Sequence, residues 1–263
     1  MRGLRQGAGV SNAIALGASE QDVTIENMRR FEDLVIQSPK RSIRSQQGWH
    51  GFFPYYAGYS ENFARALLNS AGLSKMSTVL DPWNGSGTTT YAASHLGMTS
   101  MGFDLNPVML LVARSRLLPS SEADSIEPLA HEMLKWLRGS ECLLQADDPL
   151  LSWFNRPTAV LIRTIERRIC VHLIGERTLT LNGAKMENVS RLAATFYVAL
   201  FSLCRQLTHR FRSSNPTWLR KPKKGEVRVT ASREKILSIF SSIVKSMPGQ
   251  CWPGARPIGR RHA

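Results

Sequence analysis

Asp81, Gly85, Gly87 and Asp104 are the residues whose types and spacing could do chemistry. Within VLDPWNGSGTTTYAASHLGMTSMGFDLNP, Val79 to Pro107, an acid precedes a Gly-x-Gly and a second acid follows the first by 23 positions. Glycines between a strand and a helix let backbone approach a ligand closely, because positive φ costs them little and no Cβ intrudes. A carboxylate at the end of the second strand can accept hydrogen bonds from two vicinal hydroxyls, as a ribose reader does. A polyphosphate loop would place a lysine after its last glycine, as in G-x4-G-K-[ST]. Thr88 and Thr89 stand there instead. A dinucleotide turn would read G-x-G-x-x-G, usually with no acid four residues before its first glycine. The chain has Asp81 at that place, and Gly87 is followed by Thr88, Thr89 and Thr90. The ligand that suits these residues is cationic or amine-bearing near Asp81 and presents ribose hydroxyls to Asp104. S-adenosylmethionine (SAM) meets both demands. A plainer reading makes Asp81-Pro82 and Asn106-Pro107 loop formers and helix caps. It explains each residue alone but not their joint spacing.

The elements that must position these residues follow from pattern. Met76 to Leu80 reads as a short buried strand, Thr88 to Leu96 as a helix, Thr99 to Phe103 as a second strand and Val108 to Leu118 as a second helix. Strand, Gly-rich turn, helix and strand form a parallel β-α-β unit. Asp81 and Asp104 then fall just past the carboxyl ends of its strands, the edge at which open α/β sheets bind ligands. Upstream, Ser60 is an N-cap candidate for a helix from Phe63 to Leu73, and Val23 to Ile36 has helical apolar spacing. The aromatic, Gly-rich Gly48 to Gly58 suits a loop lining a pocket. From Pro119 to Arg212 helical periodicity dominates, with a strand-like interruption near Thr178 to Leu181. Beyond it lie the basic turn SNPTWLRKPKKGE, a helix from Arg233 to Lys245 and the aperiodic tail GQCWPGARPIGRRHA. There is no internal repeat. Four regions result: an N-terminal arm (1–48), an α/β half (49–118), a helical insert (119–212) and a basic C-terminal segment (213–263).

Composition narrows the partners. A chain of 263 residues with 43% apolar content can fill a core, which excludes disorder throughout. The formal charge is +14, and from Arg205 to Ala263 there are 14 Lys/Arg against two acids, Glu226 and Glu234. That local field attracts polyanions; the alternative is a solvated basic tail. Cys142, Cys170, Cys204 and Cys251 form no C-x2-C pair, so neither a zinc site nor a disulfide framework is indicated, and a reduced cytoplasmic setting is expected. The longest apolar run, Leu192 to Cys204, has 13 residues where a membrane span needs about 20. It reads as a buried helix, and no membrane partner is expected.

VLDPWNGSGTT resembles motif I of the amino-group DNA methyltransferases, D-P-F-x-G-S-G-T-T, with Trp83 in place of the usual phenylalanine. GFDLNP is similar to the acidic motif that follows it, and FFPYYAGYSENFARALL, Phe52 to Leu68, is similar to motif X. The match runs from about Phe52 to Arg116, roughly a quarter of the chain. The resemblance implies an α/β, Rossmann-like SAM-dependent methyltransferase fold with a helical insert. It also implies SAM as cofactor, held by Asp81, Pro82, Trp83, Gly85, Ser86, Gly87, Thr88 and Asp104, with Phe53 and Tyr55 contributed by motif X. No metal is implied. The partner is DNA, methylated at an exocyclic amine, cytosine N4 or adenine N6.

Such transfer uses a [DNS]-P-P-[YFW] loop, whose polar group accepts from the target amine while its aromatic ring stacks on the flipped base. The nearest string is Asn215-Pro216-Thr217-Trp218, which keeps Asn215, Pro216 and Trp218 but lacks the second proline and a preceding buried strand. An ordinary basic turn is the competing reading. A related subgroup carries its S-P-P-Y loop downstream of a helical insert, which makes Pro119 to Arg212 a place for target recognition. The change after Gly249, from SIVKSMPG to Pro-, Gly- and Arg-rich sequence, reads as a shifted frame, with a disordered natural tail as the alternative, and the sheet reads as incomplete. A companion chain supplying the catalytic half, or a restriction endonuclease, is the expected protein partner. Competing functions are an inactive SAM- or nucleic-acid-binding fragment that needs such a partner, and an RNA methyltransferase. Direct in-line methyl transfer is expected, because no cysteine has the Pro-Cys setting of the cytosine-C5 enzymes.

Overall fold

The computed structural model describes residues 33–40, 53, 58–74, 76–135, 137, 142–175, 179–180, 183–184, 189–213 and 219–250. Five of its described α-helices begin at a side-chain cap. Helix α1, Glu61–Ser70, is capped by Ser60, whose side chain accepts from Phe63 N. Strand β1, Thr78–Asp81, leads through the glycine turn into α2, Thr88–His95, and β2, Thr99–Gly102, follows. Asn106 then caps α3, Pro107–Ser115, with Pro107 in its first turn. The next helices are α4, Ala123–Leu134, and α5, Arg156–Leu173, the latter capped by Asn155. A short antiparallel pair, β3 (Leu179–Thr180) and β4 (Gly183–Ala184), precedes α6, Arg191–Leu207, and α7, Arg233–Ser246. Ser190 and Ser232 cap α6 and α7 by accepting from Ala193 N and Lys235 N. A Ser or Asn oxygen is the favoured partner for these otherwise unpaired amides.

β1 and β2 are parallel, in the register Thr78–Thr99, Val79–Ser100, Leu80–Met101 and Asp81–Gly102. A parallel pair joined through α2 is the β-α-β unit read from the sequence, and it is compatible with an α/β fold. The expected strand Met76 to Leu80 begins and ends later, so Asp81 is the last strand residue rather than the first beyond it. Nor is the strand buried throughout. Val79 is covered, but Leu80 is 61% exposed, and its neighbours Met101 and Phe103 are each 53% exposed. α2 packs on β1 and β2 from one side, and among the described residues nothing covers the side that carries Leu80 and Met101. Parallel sheets are ordinarily buried on both faces.

Helices α4 to α7 form one body. Ile126 of α4, Ile165 of α5, Phe196 and Leu203 of α6, and Ile236 and Phe240 of α7 share a core and are almost wholly buried. The 13-residue apolar run lies in α6, as a buried helix. Among the described residues no helix is long and apolar enough to cross a membrane. α3 connects the two parts, because Met109 and Val112 pack on Val198 of α6 while Leu111 packs on Ala193 and Ala194. The helix expected over Val23 to Ile36 falls mostly outside the described residues. Its last residues, Leu34 to Ile36, are not helical, and Val35 N donates to Ser70 Oγ at 2.9 Å.

Candidate cofactor site

The strand end, the glycine turn and α2 place a ring of polar groups at one edge of the sheet. Asp81 Oδ1 accepts from Trp83 N at 2.9 Å, the local turn that Asp-Pro sequences favour. Its Oδ2 accepts from the Thr89 hydroxyl and, at 3.3 Å, from the Tyr59 hydroxyl; Tyr59 and Thr89 also meet each other. Burial raises the Tyr59 phenol above its ordinary value, and the charge of Asp81 acts in the same direction against the Thr89 hydrogen bond. The phenol therefore stays protonated and donates at neutral pH.

Asp104 closes the ring from β2. Its Oδ2 accepts from Gly85 N at 2.9 Å and its Oδ1 from Asn106 N at 2.8 Å. Between the two acids the chain turns through Gly85 at φ 49° and Gly87 at φ 79°, conformations that side-chain-bearing residues rarely adopt. Gly87 also has no room for a methyl group, since an added Cβ lies 2.7 Å from Ala113 Cβ. Asn84 braces the turn from inside. It is 8% exposed, accepts from Thr90 Oγ1 at 3.2 Å, and presents its carbonyl to Gly87 N at 2.8 Å. Its side chain lies where a Cβ on Gly102 would go, 2.4 Å away, so Gly102 is needed for that approach.

The sequence-predicted residues thus divide. Asp81, Gly85, Gly87 and Asp104 come together at the carboxyl ends of β1 and β2. Pro82 and Trp83 lie outward, Trp83 with 75% exposure, while Ser86 and Thr88 face inward, at 3% and 6%. Phe53 is buried against Met109, Val112 and Val198, with the Arg205 guanidinium 5.6 Å over its ring. Tyr55, Asn215, Pro216 and Trp218 lie outside the described residues. The described residues on either side, Arg212 and Leu219, are bridged to each other and rest on the helical body: Arg220 N donates to Phe211 O, and Trp153 Nε1 donates to Arg220 O.

Tyr59, Thr89, Asn84 and Arg116 are absent from the predicted set. Tyr59 lies inside the motif-X-like stretch, but nothing local brings it to an acid 22 residues later. Arg116 had a legible signal, since it continues the Met109, Val112 and Ala113 stripe at the seventh position and so lands on the buried face of α3.

The donor set suits a nucleoside bearing a cationic tail. Each Asp104 oxygen holds one described hydrogen bond, which leaves acceptor capacity on both for adjacent hydroxyls. Asp81 keeps a lone pair on Oδ1 for an amine. Among the described residues no group of three or more His, Cys, Asp or Glu side chains is placed to hold a metal ion.

Over 62 residues the chain is 42% identical to the Type II methyltransferase M.BsoBI of Geobacillus stearothermophilus. The likeness is to a methyltransferase. It covers 24% of this chain and 12% of that relative. No family model matches the chain, and no solved structure does.

Proposed function

We propose that this chain holds SAM as the cofactor-binding half of a Rossmann-like DNA amino-methyltransferase acting on cytosine N4 or adenine N6. The observation that carries the reading is the meeting of Asp81 and Asp104 at adjacent strand ends, across a turn whose two glycines both have positive φ. The likeness to a Type II methyltransferase supports it, and on this reading the substrate is DNA. SAM, when bound, supplies a methyl group activated on a sulfonium. On this reading Asp104 receives the ribose hydroxyls, Asp81 the amine of the methionine end, and the glycine turn brings backbone against that end. Tyr59 and Thr89 hold the Asp81 carboxylate in place.

Two of the four cysteines are unsuited to forming a covalent enzyme intermediate. Burial pushes the Cys204 thiol up to about 12, and burial also raises Cys170, whose Sγ lies 2.8 Å from the Tyr197 hydroxyl. Both stay protonated at neutral pH and are poor nucleophiles. The exposed basic turn with Lys221, Lys223, Lys224 and Arg228 is the proposed phosphate contact. The bare sheet face with Leu80, Met101 and Phe103 favours a reading in which a companion chain completes the sheet and supplies the catalytic loop.

Equilibrium dialysis with labelled SAM tests the cofactor role. Wild type binds, and Asp104→Ala weakens binding by about tenfold or more as the ribose bonds go. Unchanged affinity in that variant sinks the ribose assignment. A labelled-methyl assay with duplex DNA, RNA and small amines as acceptors then separates DNA transfer, RNA transfer and binding alone.

A further inference from the structure

A buried guanidinium stands behind the glycine turn. Arg116, at the end of α3, is 1% exposed. Its Nη1 donates to Ser86 O at 3.2 Å and to Thr88 Oγ1 at 3.3 Å. Its Nη2 lies 3.8 Å from Glu61 Oε2 of α1, and its Cζ sits 4.4 Å from the centroid of the Tyr91 ring on α2. One side chain therefore meets α1, α2 and the turn. Removing a guanidinium from water is costly unless its hydrogen bonds are replaced. An apolar residue would continue the α3 stripe without that cost, so the charge here calls for an explanation beyond filling space.

We propose that Arg116 is a positioning residue for the cofactor turn, acting through the Ser86–Gly87 peptide. That peptide lies between two positive-φ glycines, where backbone has the most freedom to rotate. Arg116 holds its carbonyl, and Asn84 O accepts from its N–H at 2.8 Å. Both ends of the peptide plane are fixed, and the turn is preorganised rather than ordered at the expense of binding. Lysine cannot substitute. A single ammonium has neither the planar fork whose Nη1 meets Ser86 O and Thr88 Oγ1 while Nη2 lies beside Glu61, nor the flat face that stacks on Tyr91.

The inference rests on the SAM reading, and its test separates the two. SAM and 5′-methylthioadenosine share the ribose and adenine, but the second lacks the amino-acid end that the turn would face. In Arg116→Lys, SAM affinity is expected to fall about tenfold and methylthioadenosine affinity by less than about threefold. Glu61→Gln, which keeps the guanidinium but removes the carboxylate beside its Nη2 with little change of shape, is expected to show the same split at about threefold for SAM. It carries the test if the lysine variant does not fold. Wild type that binds neither ligand overturns the cofactor reading and this inference with it. Wild-type binding with both affinities unchanged in the variants, or with both reduced equally, overturns the positioning role alone.

Discussion

The helical body and the sheet that carries the candidate site bury themselves very differently. Ile126, Ile165, Phe196, Ile236 and Phe240, drawn from four helices, meet in one core at 0–1% exposure. The β1–β2 sheet buries Val79 toward α2 and leaves Leu80, Met101 and Phe103 more than half exposed on its other side. Burial of apolar area is the main favourable term in folding. The body therefore supplies most of the stability, and the site is a thin layer anchored to it through α3. The two acids of the site are half-buried beside that open face, and the glycine turn behind them is buried. Carboxylates that receive a ligand have to keep some exposure, so they cannot also be packed into a core.

Substitutions can break that contrast, beginning with the largest effect. Phe240→Ala removes a fully buried ring from the shared core and is expected to cost about 3–5 kcal/mol in urea unfolding. A loss below about 1 kcal/mol would mean that the body does not carry the stability.

Gly87→Ala forces a side chain into φ 79° and against Ala113, with an expected cost of about 1–3 kcal/mol. The loss of SAM affinity should exceed what unfolding explains, because the strain lies in the turn. Dialysis at a temperature where the variant is fully folded checks this.

The body also has an acid-sensitive clasp. Arg163 donates to Asp148 Oδ2 at 2.8 Å and to Oδ1 at 3.1 Å, and it also bonds Glu166. Burial raises the Asp148 carboxyl, but the Arg163 and Leu150 N bonds outweigh it and leave the group below its ordinary value. The stabilisation is then present above the ordinary carboxylate range of about 4 and lost as pH falls through the lower folded value. Asp148→Asn should flatten that acid limb, at a cost near neutrality on the order of 1 kcal/mol or less. Thermal melts between neutral and strongly acidic pH measure it. An unchanged acid limb would mean that the clasp does not hold the body.

Smallest of all is Leu80→Ser on the open face, expected to change stability by less than about 0.5 kcal/mol. A larger loss would show that the face is covered in the folded chain.

Local signals made the helices readable. Ser60, Asn106, Asn155, Ser190 and Ser232 each stand before a helical pattern, and each caps the helix that follows. The β-α-β unit was equally legible, because a glycine turn between a short apolar run and a helical one has few other readings. The bare face was not. MSTVL looks buried from its own residues, but exposure of Leu80 depends on which elements arrive to cover it, and no periodicity in those five residues encodes that.

The sequence by itself determined the chemistry on offer: two acids and two glycines at spacings that suit a nucleoside with a cationic tail, and a basic C-terminal region. Residue type and strand-turn-helix order suffice for that, since both act over a few residues. The tertiary structure alone decided that Tyr59 reaches Asp81 across 22 residues, that Phe53 packs on Met109 and Val198, and that Arg116 stands behind Ser86. Those are contacts between elements. They are set by how α1, α3 and α6 pack against one another, which no single segment of the chain specifies.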